Sequence, residues 1–442
     1  MYHFIGIKGS GMSALAQIMH RLGYQVQGSD VEEHFFTQVG LEELNIPILP
    51  FSEDNIKEGM FIVKGNTFGE EHPEVKKAEE LRLPIFTYQE MVGKLTKKFD
   101  TICVAGCHGK TTTTAMLAHV LGELKGANYL IGDGTGYAAK DNPYFVLESC
   151  EYQRHFLAYT PTYAIITNIE LDHVDYFKDI DDVIDAYQSF ANKAEKMVIA
   201  CGDDPYTHAL EVNRPIFYYG LDDDNDILAK NVEYHENGIS FEVFVEGNYY
   251  GYFDVPFFGK HMLLNTLAVI AVCYYERMEA KEVSKVLKTH QGAKRRFTET
   301  VLGDVVLIDD YGHHPTEVRA TIKAAKQKYP NKKLVTVFQP HTFSRTKEFA
   351  EGFAEAMNLA DMSYAMEIHP AREKQEDFPD VTSDLIIDKL EHGAPIKMED
   401  ADELLQYRDA VILFMSPNDL SVLEDALKEK IEKRLEDEKE NH

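Results

Sequence analysis

Cationic charge is what this sequence is short of. Lys and Arg number 45 against 74 Asp and Glu, a formal net charge of −29 at pH 7. A surface of that sign repels a polyphosphate backbone, so a general nucleic-acid binder is excluded. Cysteine is scarce too. Cys103, Cys107, Cys150, Cys201 and Cys273 are an odd number without a C-x-x-C pair, which argues against a disulfide framework and a zinc ribbon and for a reducing, cytoplasmic compartment. Nowhere do 18 apolar residues run together, and the opening MYHFIGIKGSG lacks a basic n-region and a long h-region. The expectation is a soluble protein without membrane association. Low-complexity segments and internal repeats are also missing, and 44% hydrophobic with 27% charged residues is an ordinary globular composition. An anionic small ligand stays compatible with all this, because backbone N–H groups with one or two cations can cradle phosphate inside an acidic protein.

What is present is a chain of 442 residues, enough for two to four domains at roughly 100 to 200 residues each. Its opening reads strand (Tyr2 to Ile7), glycine loop, helix (Met12 to Leu22), then a short strand from Tyr24 to Gln27 leading to Gly28, Ser29 and Asp30. Met60 to Lys64 and Pro84 to Thr87 continue the alternation, and Leu95 to Asp100 reads as a linker. A second α/β unit starts with the strand Thr101 to Ala105 and adds strands at Tyr144 to Glu148, Tyr163 to Asn168 and Lys196 to Cys201. Asp226 to Phe257, with turns at Asn237-Gly238 and Gly247-Asn248, reads as antiparallel hairpins inserted into it or lining its edge. After a helix from Leu263 to Tyr275, Gly292 to Phe297 marks a second boundary. A third α/β unit then has strands at Val305 to Asp309, Lys333 to Phe338, Met362 to Ile368 and Ala410 to Met415, and Lys428 to His442 reads as a solvated, frayed helix.

The sharpest local signal is Gly106-Cys107-His108-Gly109-Lys110-Thr111 between a strand and a helix. Its glycines let the backbone wrap an anion, Lys110 can neutralise phosphate oxygens, and the Thr111 hydroxyl can ligate magnesium. Val104 stands where a strict G-x-x-x-x-G-K-T begins, and the bland alternative is a turn capped by Thr111 and Thr112; ATP binding is the reading adopted. Gly6-x-x-Gly9-x-Gly11 with Asp30 resembles a dinucleotide fingerprint of irregular spacing, which serves any nucleotide diphosphate and competes with a ligand-free turn. Glu148 and Asp172-His173 fall at strand ends, where open α/β sheets bind ligands, and could complete a magnesium site with Thr111, with Glu151 as a second acid or a surface residue. His173 otherwise reads as a loop histidine held by Asp172. Asp310-Tyr311-Gly312-His313-His314-Pro315 and Gln339-Pro340-His341 through Thr346 supply an acid, an aromatic face, imidazoles and Arg345, suited to a nucleotide and a carboxylate; each is also readable as a loop cap. A zinc set of His313, His314 and His341 is a further reading, without the usual helical spacing.

Taken in order, GIKGSGMSALA, GCHGKTTTT, TNIELDH, GKHMLLN, GAKRRF, DDYGHHP and QPHTFSRT resemble the Mur ligases over essentially the whole chain. The resemblance implies three α/β domains: a Rossmann-like UDP-sugar domain (1–98), a central P-loop ATPase-type domain with a mostly parallel sheet (99–292), and a Rossmann-like amino-acid domain (293–442). DDYGHHP and PHTFSRT point to the alanine-adding branch, which uses ATP and magnesium to join L-alanine to UDP-N-acetylmuramate; a branch adding a recycled murein peptide to the same sugar is the alternative. The roles it implies place Lys110 at the phosphates with Gly106, His108, Gly109, Thr111 and Thr112. Metal falls to Thr111, Glu148 and His173. Asn265 and Tyr311 take adenine, Asp310 the ribose, and Arg296 the nucleotide on closure. His341 and Arg345 position L-alanine. Gly9, Ser10, Gly11 and Met12 serve the diphosphate, and Asp30 and Asn66 the uridine side. It also implies domains that open without ligand, in a monomer or homodimer. Thr342, Gly312 and the Ser416-Pro417-Asn418-Asp419 turn depart from the family pattern, and Gln188 to Phe190 offers no lysine for the carbamylation used by sister ligases.

Overall fold

The computed structural model describes residues 1–440 and has three sheets, each built from consecutive chain. The first is all parallel: β1 (Tyr2–Ile5), β2 (Val26–Asp30), β3 (Ile48–Pro50), β4 (Phe61–Lys64) and β5 (Ile85–Thr87), in the order 3-2-1-4-5. β1 stops at Ile5 because Gly6 turns at φ 80°, and the N–H groups of Gly6 and Ile7 both reach the Ser29 carbonyl. The helix Ser10–Arg21 follows at once, its face from Met12 to Met19 buried.

The central sheet has ten strands: β6 (Asp100–Ala105), β7 (Ala127–Leu130), β8 (Gly136–Tyr137), β9 (Tyr144–Glu148), β10 (Tyr163–Ile166), β11 (Met197–Cys201), β12 (Ile216–Gly220), β13 (Ile227–His235), β14 (Gly238–Val245) and β15 (Asn248–Val255). Their order is 15-14-13-12-11-10-6-9-7-8. Every neighbouring pair from β13 to β7 is parallel, and β13, β14 and β15 pair antiparallel at one edge, as the turn residues indicate. β6 and β10 are buried on both faces, with the helices Lys110–Leu124 and Lys260–Tyr275 on one side; this explains why those strands read as unbroken apolar runs. At the opposite edge β8 meets the first domain. A Cβ on Gly136 would lie 2.1 Å from the Ala14 carbonyl oxygen, so only glycine lets the helix Ser10–Arg21 approach that closely.

The third sheet comprises β16 (Thr298–Leu302), β17 (Val305–Asp310), β18 (Lys333–Phe338), β19 (Met362–Ala365), β20 (Gly393–Pro395) and β21 (Ala410–Met415), ordered 16-17-21-18-19-20 and parallel except for β16. The short strands β3, β7, β8, β12, β16 and β20 have no counterpart in the sequence reading; several are edge strands of two to five residues, too short to show a period. The C-terminal helix Ser421–Glu440 begins before the stretch read as solvated, which from Lys428 on is mostly exposed apart from Ile431. Leu423, Leu427 and Ile431 recur at helical spacing and are buried against the third sheet, while Arg434 donates to the Leu405 carbonyl. Asn441 and His442 lie outside the described residues. Among the described residues no helix is long and apolar enough to cross a membrane.

Candidate functional site

The loops that follow β6, β9 and β10 at their C-terminal ends face those that follow β17, β18 and β19. The site is built in the seam. After β6 the chain turns at Gly106 (φ 140°) and Gly109 (φ 81°) before the helix Lys110–Leu124. At Gly109 a Cβ would also lie 2.6 Å from Asn265 Oδ1, so this glycine is required by conformation and by space. Asn168 holds the loop shut: its Oδ1 accepts from the His108 N–H at 2.9 Å and its Nδ2 donates to the His108 carbonyl at 2.9 Å.

Lys110 is the loop's fixed cation. Its Nζ donates to the Gly106 and Cys107 carbonyls and lies 3.0 Å from Glu151 Oε2. Burial works against its charge, but Glu151 with Glu148 and the neighbouring cysteines together outweigh this and raise the ammonium above its ordinary range. Glu151 is held in turn. Burial opposes its ionisation, and Lys110 together with His173 lowers it below the usual carboxylate range. Phe156 anchors the same segment by stacking on Phe190 at 4.6 Å, fully buried. Thr111 Oγ1 donates to Glu148 Oε1 at 3.0 Å, and Glu148 Oε2 accepts from the Gly132 N–H at 2.7 Å. His173 behaves differently from its expected place beside Glu148: it sits at φ 49° with Nε2 3.6 Å from Glu151 Oε1, its N–H bonded to Asp172 and its buried Nδ1 unpartnered. A hydroxyl and two carboxylates therefore lie about the helix start, oxygen donors of the kind magnesium takes, with the His173 imidazole beside Glu151 rather than Glu148.

A cavity of about 590 Å³ opens beside the loop, lined by His108, Gly109, Thr112, Asn265, Arg296 and Asp310 among others. Both Asp310 oxygens are already engaged, Oδ2 by the Phe297 N–H and Oδ1 by Gly312 N–H and Thr321 Oγ1, and burial raises its carboxyl. It braces the turn at Gly312 before it can meet any ribose. The Tyr311 ring carries the Arg296 guanidinium at 5.0 Å, and Arg296 also lies 3.5 Å from Glu317. Arg295, which the sequence left without a role, donates to the Ser416 and Asn418 carbonyls and pairs with Asp309, holding the Ser416–Asp419 turn.

Arg345 is held by a carboxylate of the central domain. Its Nε and Nη2 donate to Asp172 Oδ1 at 3.1 and 2.8 Å, both side chains are buried, and the pair ties the third domain to the central one. Only Nη1, near the His341 carbonyl at 3.4 Å, faces away from Asp172. Thr342 (φ 68°, 3% exposed) is spent on backbone geometry. Arg372, unmarked in the sequence, pairs with Asp175 at 2.5 Å over the Tyr152 ring, and His369 stacks on His341 at 5.6 Å. Burial lowers His341 to about 3 and His313 to about 4, so both imidazoles are neutral. The zinc set read from the sequence does not assemble. His313 and His341 have ring centroids 6.4 Å apart, while His314 turns to pack, tilted, against His108 at 4.6 Å. Gln188 pairs with the Glu211 backbone.

In the first domain a second cavity, also about 590 Å³, is lined by Gly9, Ser10, Gly11, Met12, Asp30 and Asn66 with Phe35 and Phe36. No side chain caps the helix Ser10–Arg21, so its first N–H groups are open to a ligand. Asp30 accepts from the N–H groups of Lys8 (2.7 Å) and Val31 (2.8 Å), fixing the loop. Tyr88 lines this cavity too; burial and then the neighbouring Glu148 raise its hydroxyl.

Comparison with known proteins finds the same three-part plan. Residues 1–100 match the Mur ligase family catalytic domain, 104–273 the Mur ligase middle domain and 295–423 the Mur ligase glutamate ligase domain. Among solved structures, the UDP-N-acetylmuramate-alanine ligase MurC of Thermotoga maritima is similar at 27% identity over 98% of this chain and 99% of that one, with a TM-score of 0.81. A murein peptide ligase of Psychrobacter arcticus shares the fold at 22% identity, 98% of each chain and a TM-score of 0.71. The MurF ligase of Thermotoga maritima, in complex with ADP, shares it at 18% identity, over 87% of this chain and 97% of that one, with a TM-score of 0.67. With a clamped phosphate loop at the meeting of three α/β domains, and all three family models matched in order, the chain belongs to the Mur ligase family.

Proposed function

We propose that this Mur ligase joins L-alanine to the lactyl carboxylate of UDP-N-acetylmuramate at the expense of ATP, in the cytoplasm. What supports the reading is a glycine loop, with Lys110 on Glu151 and Thr111 on Glu148, beside a cavity lined by His108, Gly109 and Thr112 of that loop and by Arg296, Asp310 and Glu317 of the third domain. We take the domain boundaries to lie near residues 98 and 292, between the three sheets.

In this reading the sugar nucleotide sets its diphosphate on the open N–H groups of Ser10, Gly11 and Met12, and its carboxylate passes Tyr88 to reach the phosphate loop. Thr111, Glu148 and His173, with Glu151 adjacent, would hold magnesium, which when bound shields the charge of the nucleotide phosphates. Lys110 neutralises the transferring group. The carboxylate oxygen attacks the γ-phosphorus and the bond to ADP breaks, leaving an acyl phosphate; the neutral amine of alanine then attacks the acyl carbon and phosphate departs. His341, kept neutral by burial, offers a lone pair to orient the amine, and the free face of Arg345 with Arg372 supplies charge for the amino-acid carboxylate. The docked third domain keeps water from the acyl phosphate.

The test is phosphate release from ATP with UDP-N-acetylmuramate, offered L-alanine or the murein tripeptide. Turnover with L-alanine is the expected result. Turnover with the tripeptide alone would move the protein to the peptide-adding branch, and turnover with neither would remove the proposal.

A further inference from the structure

Across the seam between the central and third domains, three potential metal ligands meet away from the phosphate-loop carboxylates. His108 Nε2 lies 3.0 Å from Glu170 Oε2, and His314 Nδ1 lies 3.8 Å from the same oxygen. One ligand atom from each of the three residues falls within 4.8 Å of the other two, the one such group of His, Cys, Asp and Glu among the described residues. Zinc with ligands at about 2.0–2.2 Å sets tetrahedral ligand-to-ligand separations of about 3.4 Å, and the observed spacings straddle that value.

The surroundings are those of a supported site. A metal-binding histidine commonly gives its second ring nitrogen to a carboxylate. Here His108 Nδ1 lies 3.5 Å from Glu317 Oε1, a side chain 10% exposed. The other oxygen of Glu170 accepts from Thr316 Oγ1 at 2.7 Å. His314 is 2% exposed and its Nε2 is buried without a partner, while its Nδ1 accepts the Thr316 N–H at 3.3 Å as the cap of the helix Pro315–Lys328, a long bond that a cation would replace. The backbone of His108 is gripped by Asn168, and its ring is held between Glu170 and Glu317. Glu170 lines the nucleotide cavity and is partly exposed, which leaves a fourth position for water.

We propose that His108, Glu170 and His314 form a binding site for a zinc-class divalent cation that clasps the third domain to the phosphate loop. Because His108 and Glu170 come from the central domain and His314 from the third, the cation is held only when the two are docked.

The experiment uses the full-length protein stripped with a chelator and titrated with Co²⁺, read by the visible absorption of a four-coordinate ion and by its loss on adding Zn²⁺. No nucleotide or sugar is present, so the outcome is independent of the proposed substrate. A saturable four-coordinate spectrum is expected, lost in Glu170→Gln and in His314→Gln. Glu317→Gln should keep the spectrum with affinity weakened about 10- to 100-fold. His173→Ala, at the magnesium donors, should keep it unchanged. If His314→Gln fails a thermal-melt check of folding, His108→Gln takes its place. Absence of a four-coordinate spectrum, its survival in Glu170→Gln or His314→Gln, or its loss in His173→Ala would overturn the proposal.

Discussion

The two glycine loops use one backbone device for two kinds of chemistry. In the first domain the loop before Ser10 presents bare N–H groups at a helix start, and its nearest cation is turned away: Lys8 Nζ donates to the Val31 and Glu33 carbonyls. Half-exposed Phe35 and Phe36 border the cavity. In the central domain the loop is buried, carries Lys110 inside a ring of carbonyls and carboxylates, and is covered by the third domain through Asp172–Arg345 and Asp175–Arg372. Holding a diphosphate needs donors, which the backbone provides. Moving a phosphoryl group needs charge fixed in a dry place, which takes side chains from several elements.

The comparison can be broken at its strongest point first. Lys110→Ala should lower kcat about 10³-fold, with the fold retained, in a phosphate-release assay; near-normal turnover would erase the distinction between the loops. Arg345→Ala strands Asp172 as a buried, unpaired carboxylate and should cost about 3 kcal/mol in denaturant unfolding. The covered loop should also be acid-sensitive where the open one is not. Burial lowers His313 and His314 to about 4 from an ordinary 6.5, so between those pH values the unfolded chain binds more protons and stability falls as pH falls. Each histidine contributes about 1.4 kcal/mol per pH unit in that window, read by melting curves. His108, raised to about 10 by Glu170 and Glu317 against the effect of its burial, is protonated in both states there and adds no slope. The smallest effect sharpens the first loop: a Cβ on Gly11 would lie 2.7 Å from the Tyr88 ring, so Gly11→Ala should raise KM for the sugar nucleotide about tenfold, with KM for ATP unchanged.

Much of the architecture was legible because it rests on local pattern. The P-loop strand and helix, β9, β18 and β21 follow from apolar runs and glycine turns, and the hairpins from Asn237-Gly238 and Gly247-Asn248. What escaped reading were partners: Asn168 as the clamp on His108, Arg295 as the holder of the Ser416–Asp419 turn, Arg372 on Asp175, and Asp172 as the counter-ion of Arg345. In sequence these pairs are 60 to 197 residues apart, and no periodicity encodes such a distance.

By itself, then, the sequence determined an acidic α/β chain of three sheets with a phosphate loop at a helix start, because strands, turns and N-terminal N–H groups are properties of short segments. Tertiary structure alone decided which way each chemical side chain faces. It sent Arg345 to a buried carboxylate, sank Asp310 into a turn, separated His314 from His313 and set it on His108. Those choices depend on desolvation and on partners delivered by another domain, and a charge finds its counter-ion only once the strand-end loops that carry both have been brought face to face.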